Sequence, residues 1–234
     1  MTRQDTIDKP QPVLKRGLQI GLMLGIQCVA LFASAGTLVW GWAWVYFVIY
    51  LAGIAVTGAL LWRLNPGLIA ERASTKGAKG WDLIVGSVWA LVYMVGLLVV
   101  AGLDRRLGWS GTLAAWIHLV GAAGFSAGLA LFLWAMLSNA RFATVVRVGA
   151  LGEHAVCQSG PYRTVRHPGY TGAILQGLAL PFLLGSWWAL IPGVLATGLM
   201  ALRTFLEDRT LHAELPGYQE YAERVRFRLL SGVW

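Results

Sequence analysis

Six long apolar stretches, almost free of charge, limit most strongly what this chain can fold into. They cover residues 18–39, 42–62, 81–103, 113–137, 168–186 and 187–206 of a 234-residue sequence. A helix of about 20 apolar residues crosses the roughly 30 Å hydrocarbon core of a bilayer and satisfies its own backbone hydrogen bonds there. The sequence therefore predicts an all-α, multi-pass transmembrane helical bundle of about six spans. The last two stretches are the shortest, and a helical hairpin is the alternative for them.

The distribution of positive charge predicts the orientation of this bundle. All lysines and arginines except Arg105 and Arg106 fall in the N-terminal arm, the second and fourth connections and the C-terminal part. Connections rich in Lys and Arg stay in the cytoplasm. We therefore expect both termini to be cytoplasmic, in the inner membrane if the protein is bacterial. The net charge of +8 then reflects topology and contact with membrane lipids, and no nucleic-acid partner is expected.

Composition also divides the chain into two parts. Residues 1–137 hold the first four apolar stretches, and residues 138–234 hold the largest polar segments around the last two. Glycines recur every four residues at two places, which lets helices approach closely. These glycines are Gly17, Gly21 and Gly25 in the first stretch and Gly124 and Gly128 in the fourth. Packing within one chain is the simpler interpretation, and a homodimer face is the alternative.

One segment, residues 160–170, is dense in polar and aromatic groups where a membrane helix is about to begin. Pro168 suits the first turn of that helix, so His167 falls close to the N-cap. The unpaired N–H groups of a helix start favour a carboxylate, such as that of an amino-acid-like cofactor. Tyr162 and Tyr170 can stack on a ring or hydrogen-bond a ribose. The alternative is an interfacial anchor whose arginines contact lipid phosphates.

Arg203 and Glu207 are four residues apart at the inner end of the last stretch, hence on one helix face. Charges at that depth are costly unless they are paired or functional. Glu207 is a plausible partner for an ammonium or sulfonium ligand, and the alternative is a structural ion pair between the two. The Arg-rich segment after Pro216 is predicted to be an amphipathic helix on anionic lipid headgroups.

From about residue 138 to its end, the chain resembles the isoprenylcysteine carboxyl methyltransferase family and its relatives, the phospholipid methyltransferases. The matching residues are Gly160 to Tyr162, Arg166 to Gly172, Glu207, Asp208, Leu211, Tyr218 and Tyr221. Asn65, Pro66, Glu71, Arg72, Trp81 and Asp82 additionally resemble bacterial members of the family. The resemblance implies an integral membrane methyltransferase, with residues 138–234 as its core. It would take S-adenosylmethionine from the cytosol and a lipophilic small-molecule or lipid-linked substrate from the bilayer.

The resemblance also implies roles for individual residues, without a metal. The cofactor contacts would come from Arg147, His154, Ala155, Val156, Cys157, Tyr162, His167, Pro168, Gly169, Tyr170 and Glu207. Arg203 takes the place of the substrate-binding arginine, and it forms the expected catalytic pair with Glu207. Many members have two glutamates where this chain has Glu207 and Asp208, and Arg147 replaces a residue that is often neutral.

Several functions remain open at this point. The acceptor could be a prenylcysteine carboxylate, a lipid amine, as in phospholipid N-methylation, or a thiol. A membrane reductase of the sterol-reductase type is the alternative enzyme, although the acidic Glu207 and Asp208 disfavour a nicotinamide nucleotide. A transporter or scaffold is the non-enzymatic alternative. Transporters place charges and helix breaks near the bilayer midplane, whereas the polar residues here lie at one membrane face.

Overall fold

The computed structural model describes residues 10–140, 142, 144–146 and 156–234. Within these ranges the chain is helical and contains no strand, which confirms the all-α prediction. The helices are α1 (Pro10–Ala35), α2 (Gly41–Leu64), α3 (Pro66–Arg72), α4 (Gly80–Leu91), α5 (Leu97–Leu107), α6 (Ala115–Ser138), α7 (Pro168–Leu184), α8 (Leu190–Glu214) and α9 (Tyr218–Arg224). A π-helical turn, Val92–Gly96, joins α4 to α5, and a 3-10 turn, Gly160–Arg163, precedes α7.

Five segments are long and apolar enough to cross a membrane, which confirms a multi-pass bundle. They are Val13–Ala35, Gly41–Leu64, Gly80–Leu107, Ala115–Ser138 and Leu190–Glu214. The stretch predicted at 168–186 forms α7, whose 17 residues span only about 25 Å. Helices α7 and α8 pack against each other as the two arms of a helical hairpin, in line with the alternative given for these two stretches. Helix α8 continues past residue 206, because the polar groups of its last turns have protein partners.

Glycines allow α6 and α7 to pack with their backbones in contact. A Cβ atom added to Gly128 would lie 2.7 Å from the carbonyl oxygen of Gly172, and the reverse distance is also 2.7 Å. At Gly124 an added Cβ would lie 3.0 Å from Ala179. The predicted close approach at Gly124 and Gly128 therefore occurs within one chain. At Gly17, Gly21 and Gly25 an added Cβ would meet nothing within 4 Å, so the homodimer face on α1 stays a prediction.

The connections gather at two opposite ends of the bundle. At one end, the buried Asp104 accepts hydrogen bonds from Ser110 and Ser186, which ties the α5–α6 connection to the α7–α8 connection. At the other end, Lys79 pairs with Glu214 at 2.7 Å. This second end also carries the start of α1, helix α3, the 3-10 turn and α9, and it holds the candidate site. The Lys- and Arg-rich connections thus lie together at this second end, as the charge pattern predicts. The cytoplasmic location of this end stays a prediction.

Candidate functional site

Asp208, near the end of α8, is the centre of a hydrogen-bond cluster that ties the C-terminal tail to the start of α7. Its side chain is 1% exposed. Arg166 donates to both carboxylate oxygens, from Nε at 2.8 Å and from Nη2 at 3.0 Å. Arg228 and Tyr218 each donate to Asp208 at 2.7 Å, and Nε2 of His167 lies 3.4 Å away. With so many donors bound, this carboxylate holds structure together and is not offered to a ligand.

The C-terminal tail packs on the protein through one side, and contact of its exposed side with lipid headgroups stays a prediction. Tyr218 and Tyr221 of α9 are buried, and the Tyr221 hydroxyl donates to the carbonyl of Tyr162 at 2.8 Å. Arg166 donates to two tail carbonyls at 2.9 Å, so it does not serve lipid phosphates as the anchor alternative supposed. Burial, and next the Asp208 carboxylate, raise the pKa of Tyr218, which keeps its hydroxyl a donor. The tail is therefore held on the protein through its buried tyrosines and its backbone carbonyls.

The start of α7 follows the prediction. Its first residue is Pro168 and its N-cap is His167, whose ring stacks on that of Tyr170 with centroids 5.7 Å apart. His167, Gly169 and Tyr170 line a cavity, whereas Pro168 is buried outside the cavity wall. An added Cβ on Gly169 would lie 2.6 Å from the ring of Phe142, so this glycine also makes room for packing.

Glu207 faces the same cavity, on a different face of α8 from Asp208. The Tyr170 hydroxyl donates a hydrogen bond to its carboxylate. In the part of the chain that the structure describes, no lysine, arginine or histidine forms an ion pair with it. The structural alternative of an i,i+4 pair between Arg203 and Glu207 is therefore wrong. Among the described residues, Glu207 is thus a carboxylate without an ion-pair partner in a cavity wall, which suits a cationic ligand.

Arg203 pairs with Asp82 of α4 instead. Its Nε and Nη2 atoms donate to the two Asp82 oxygens at 2.7 and 3.1 Å, and Nη2 also donates to the carbonyl of Thr144 at 3.0 Å. The Arg203 guanidinium lies 5.2 Å from the centre of the Tyr170 ring. Asp82 further accepts the backbone N–H of Val146 at 2.7 Å. Arg203 is thus held rigidly beside Tyr170 in the cavity wall.

Asp82 is the site residue that the sequence interpretation did not assign to the site. It appears there only within a resemblance to bacterial family members, yet its side chain is fully buried. The signal that would have found it is its position. A single carboxylate at the start of a membrane span needs a cationic partner, and Arg203 was predicted to lie at the inner end of the last stretch, on the same side of the membrane.

A cavity of about 1800 Å³ joins these residues to the membrane-spanning part of the bundle. Its polar wall contains Cys157, Tyr162, His167, Tyr170, Arg203, Glu207, Tyr218 and Tyr221. Its apolar wall contains Ile20, Met23, Ile49, Gly53, Leu129, Leu133, Met94 and Ala173 from α1, α2, α6, the π-helical turn and α7. One open space therefore runs from a polar end suited to a water-soluble ligand to an apolar part suited to a hydrocarbon.

The predicted cofactor residues are brought together only in part. Val156 and Cys157 line the cavity, with the Cys157 thiol 3.2 Å from the carbonyl of Ser138. The Tyr162 hydroxyl accepts a hydrogen bond from Asn139 at 3.5 Å, and burial raises its pKa. Arg147, His154 and Ala155 lie outside the described residues. The described members of the predicted set, apart from Pro168, share one cavity wall.

Comparison with known proteins points to the same helices. Residues 116–214 match a family model described as phospholipid methyltransferase. No curated protein matches the chain. The matched segment begins in α6 and ends with α8, so it contains Tyr162, Tyr170, Arg203 and Glu207 but not the tail. It covers less than half of the chain, and together with the apolar helices it indicates a multi-pass membrane methyltransferase.

Proposed function

We propose that the protein is an S-adenosylmethionine-dependent methyltransferase that transfers a methyl group to a lipophilic acceptor delivered by the membrane. The acceptor chemistry would resemble that of the isoprenylcysteine carboxyl O-methyltransferases, with phospholipid N-methylation and thiol S-methylation as alternatives. The family match over α6 to α8 supports the reaction type. The observation that carries the proposal is Glu207, a carboxylate without an ion-pair partner among the described residues, in the polar wall of the cavity.

The residues of the polar wall fit the chemical groups of this cofactor. Glu207 would hold its cationic part, and the Tyr170 hydroxyl fixes the direction of the Glu207 carboxylate. The start of α7 at Gly169 lies in the wall and would favour the cofactor's carboxylate through its N–H groups and helix dipole. The ring of Tyr162 offers a stacking surface. When bound, the cofactor supplies a methyl group that its positively charged sulfur already activates.

The chain's own contribution is to position two reactants and to keep water out. Arg203 is fixed by Asp82 beside Tyr170, so it can orient a polar acceptor group without moving. The apolar wall from α1, α2 and α6 leads the hydrocarbon part of an acceptor towards this point. Alignment of reactants alone can supply about 7–11 kcal/mol of barrier lowering. A carboxylate or thiolate acceptor would need no strong base, because it already carries the electron pair that attacks the activated methyl group.

Thermal unfolding of the purified protein in detergent tests the proposal. S-adenosylmethionine or S-adenosylhomocysteine should raise the melting temperature, because a ligand that binds only the folded state stabilises it by about 2.7 kcal/mol at a hundredfold excess over Kd. ATP, which shares the adenosine but carries no cationic side chain, serves as the control. A shift with a nicotinamide nucleotide and none with either sulfur compound would replace the methyltransferase by a reductase.

A further inference from the structure

Two arginines that the proposed methyl transfer does not use lie together in the wall of the cavity. Arg16 is on the first turns of α1, and Arg72 is the last residue of α3. Nη1 of Arg16 donates to the backbone carbonyl of Arg72 at 3.4 Å and to the side chain of Gln19 at 3.3 Å, and both arginines line the same corner of the cavity. Among the described residues, neither guanidinium forms an ion pair with a carboxylate.

Arg72 is held in place although it has no counter-ion there. Its Nη1 donates to the carbonyl of Phe142 at 3.1 Å, and its guanidinium lies 5.8 and 5.5 Å from the ring centres of Phe132 and Phe142. Burial, and next the charge of Arg16, lower the pKa of Arg72 to about 10, so Arg72 stays cationic at neutral pH. Arginine is in general always protonated in proteins. Two neighbouring cations that are partly removed from water are costly unless an anion joins them.

This corner is close to the residues proposed to act in the reaction. Thr144 connects the two places: its carbonyl accepts from Arg203 at 3.0 Å, and its hydroxyl donates to the carbonyl of Arg72 at 3.5 Å. From the same corner, the apolar wall continues along α1 and α2 at Ile20 and Gly53. A ligand can therefore place an anionic group at the two arginines and a hydrocarbon chain between the helices.

We propose that Arg16 and Arg72 bind the anionic group, a phosphate or a carboxylate, of an amphiphile whose hydrocarbon part occupies the apolar part of the cavity. Arginine suits this role because its planar guanidinium can donate two parallel hydrogen bonds to either anion. Resting on the proposed function, this amphiphile is the methyl acceptor, and its anionic group is distinct from the group that is methylated. A neutral lipophile would leave both cations without an anionic partner among the described residues.

Native mass spectrometry of the full-length protein, released from a neutral detergent, tests the site with dodecyl phosphate as the probe. The wild type should bind one dodecyl phosphate saturably, and dodecyltrimethylammonium should not compete. The double variant Arg16→Gln, Arg72→Gln should bind the probe at least about tenfold more weakly, given the strength of hydrogen bonds to charged groups. Arg63→Gln is the matched control, since Arg63 is exposed at the same end and outside the cavity wall.

Two further measurements complete the test. One distinguishes a lipid-linked anion from a free anion, and the other keeps the test valid if the double variant does not fold. Inorganic phosphate should not displace the probe at millimolar concentration, and displacement would overturn the proposal by showing a site for free anions. Arg72→Lys keeps the charge but loses the planar fork, so it should bind the probe more weakly than the wild type and more tightly than the double variant. Equal affinity of the wild type and the double variant would also overturn the proposal. Should the double variant not fold, the single variant Arg16→Gln has to show the loss.

Calorimetric titration of S-adenosylhomocysteine into the same proteins separates this inference from the proposed function. The wild type and the double variant should bind it equally, because neither Arg16 nor Arg72 forms a hydrogen bond or ion pair with Glu207 or Tyr170 among the described residues. Binding of dodecyl phosphate without S-adenosylhomocysteine would leave the anion site standing and remove the proposed function. Binding of S-adenosylhomocysteine without dodecyl phosphate would remove the anion site and leave the proposed function standing.

Discussion

Replacing Asp208 by asparagine should destabilise the protein strongly, because it removes the carboxylate that two arginines share. Arg166 is 5% exposed and Arg228 is 29% exposed. Breaking a buried ion pair by removing one partner costs about 3–5 kcal/mol, whereas a partly exposed pair contributes at most about 1 kcal/mol. Tyr218 can still donate to the amide oxygen. The expected loss of unfolding free energy is therefore about 3–5 kcal/mol, or roughly 10 °C in melting temperature.

Glu207→Gln is the matched control, since it also neutralises a carboxylate, one residue away on the same helix. Glu207 has no ion-pair partner among the described residues, and its hydrogen bond from Tyr170 can be kept by the amide oxygen. We expect its unfolding free energy to change by less than about 1 kcal/mol. Equilibrium unfolding in detergent, followed by circular dichroism, measures both variants. Protease cleavage within residues 215–234 reports separately whether the tail is released.

The reasoning would be refuted if Asp208→Asn cost less than about 1 kcal/mol, the range of an exposed pair. It would fail equally if Glu207→Gln were as destabilising as Asp208→Asn. Either result would mean that the two neighbouring carboxylates do not divide structure and ligand binding between them.

Three other changes have defined outcomes. Asp82→Asn should lower the melting temperature and raise the KM for the acceptor, because it frees Arg203, and it should leave the Kd for S-adenosylhomocysteine unchanged. An unchanged melting temperature would argue against the buried ion pair between Asp82 and Arg203. Gly128→Leu should prevent correct α6–α7 packing against Gly172, seen as a loss of folded protein in size-exclusion chromatography, whereas wild-type yield would contradict the close approach. Reporter fusions at Trp234 and in the α5–α6 connection should report opposite membrane sides, and a shared side would exclude the predicted topology.

Hydropathy and charge were sufficient to predict the bundle, because the bilayer demands long apolar helices and the charges collect in the connections. The start of α7 was also predictable, since Pro168 and His167 have local preferences that need no tertiary information. The tail was not, because its packing depends on Tyr162 and Arg166, more than fifty residues away in the sequence. An amphipathic pattern is the same whether a helix covers a lipid surface or a protein surface.

Partners of charged residues are similarly hard to derive from spacing. Arg203 and Glu207 fall on one helix face as predicted, yet the bidentate geometry offered by Asp82 on α4 removes Arg203 from the pair. The neighbouring Glu207 and Asp208 look alike in sequence, but a turn of about 100° per residue places them on different faces. Glu207 faces the cavity, and Asp208 contacts the tail. Only the packing of α4, α7 and α9 around α8 decides which carboxylate receives which partner.

Calorimetric titration of S-adenosylhomocysteine into the wild type, Glu207→Gln and Glu220→Gln tests the central claim most directly. Glu220 is an exposed carboxylate on α9 outside the cavity wall, so its variant should bind like the wild type. Glu207→Gln should bind about 10- to 100-fold more weakly, the equivalent of roughly 1.5–3 kcal/mol for a hydrogen bond to a charged group. Equal affinity in all three proteins would contradict the assignment of Glu207 to the cofactor, and absence of binding to the wild type would contradict the proposed methyltransferase.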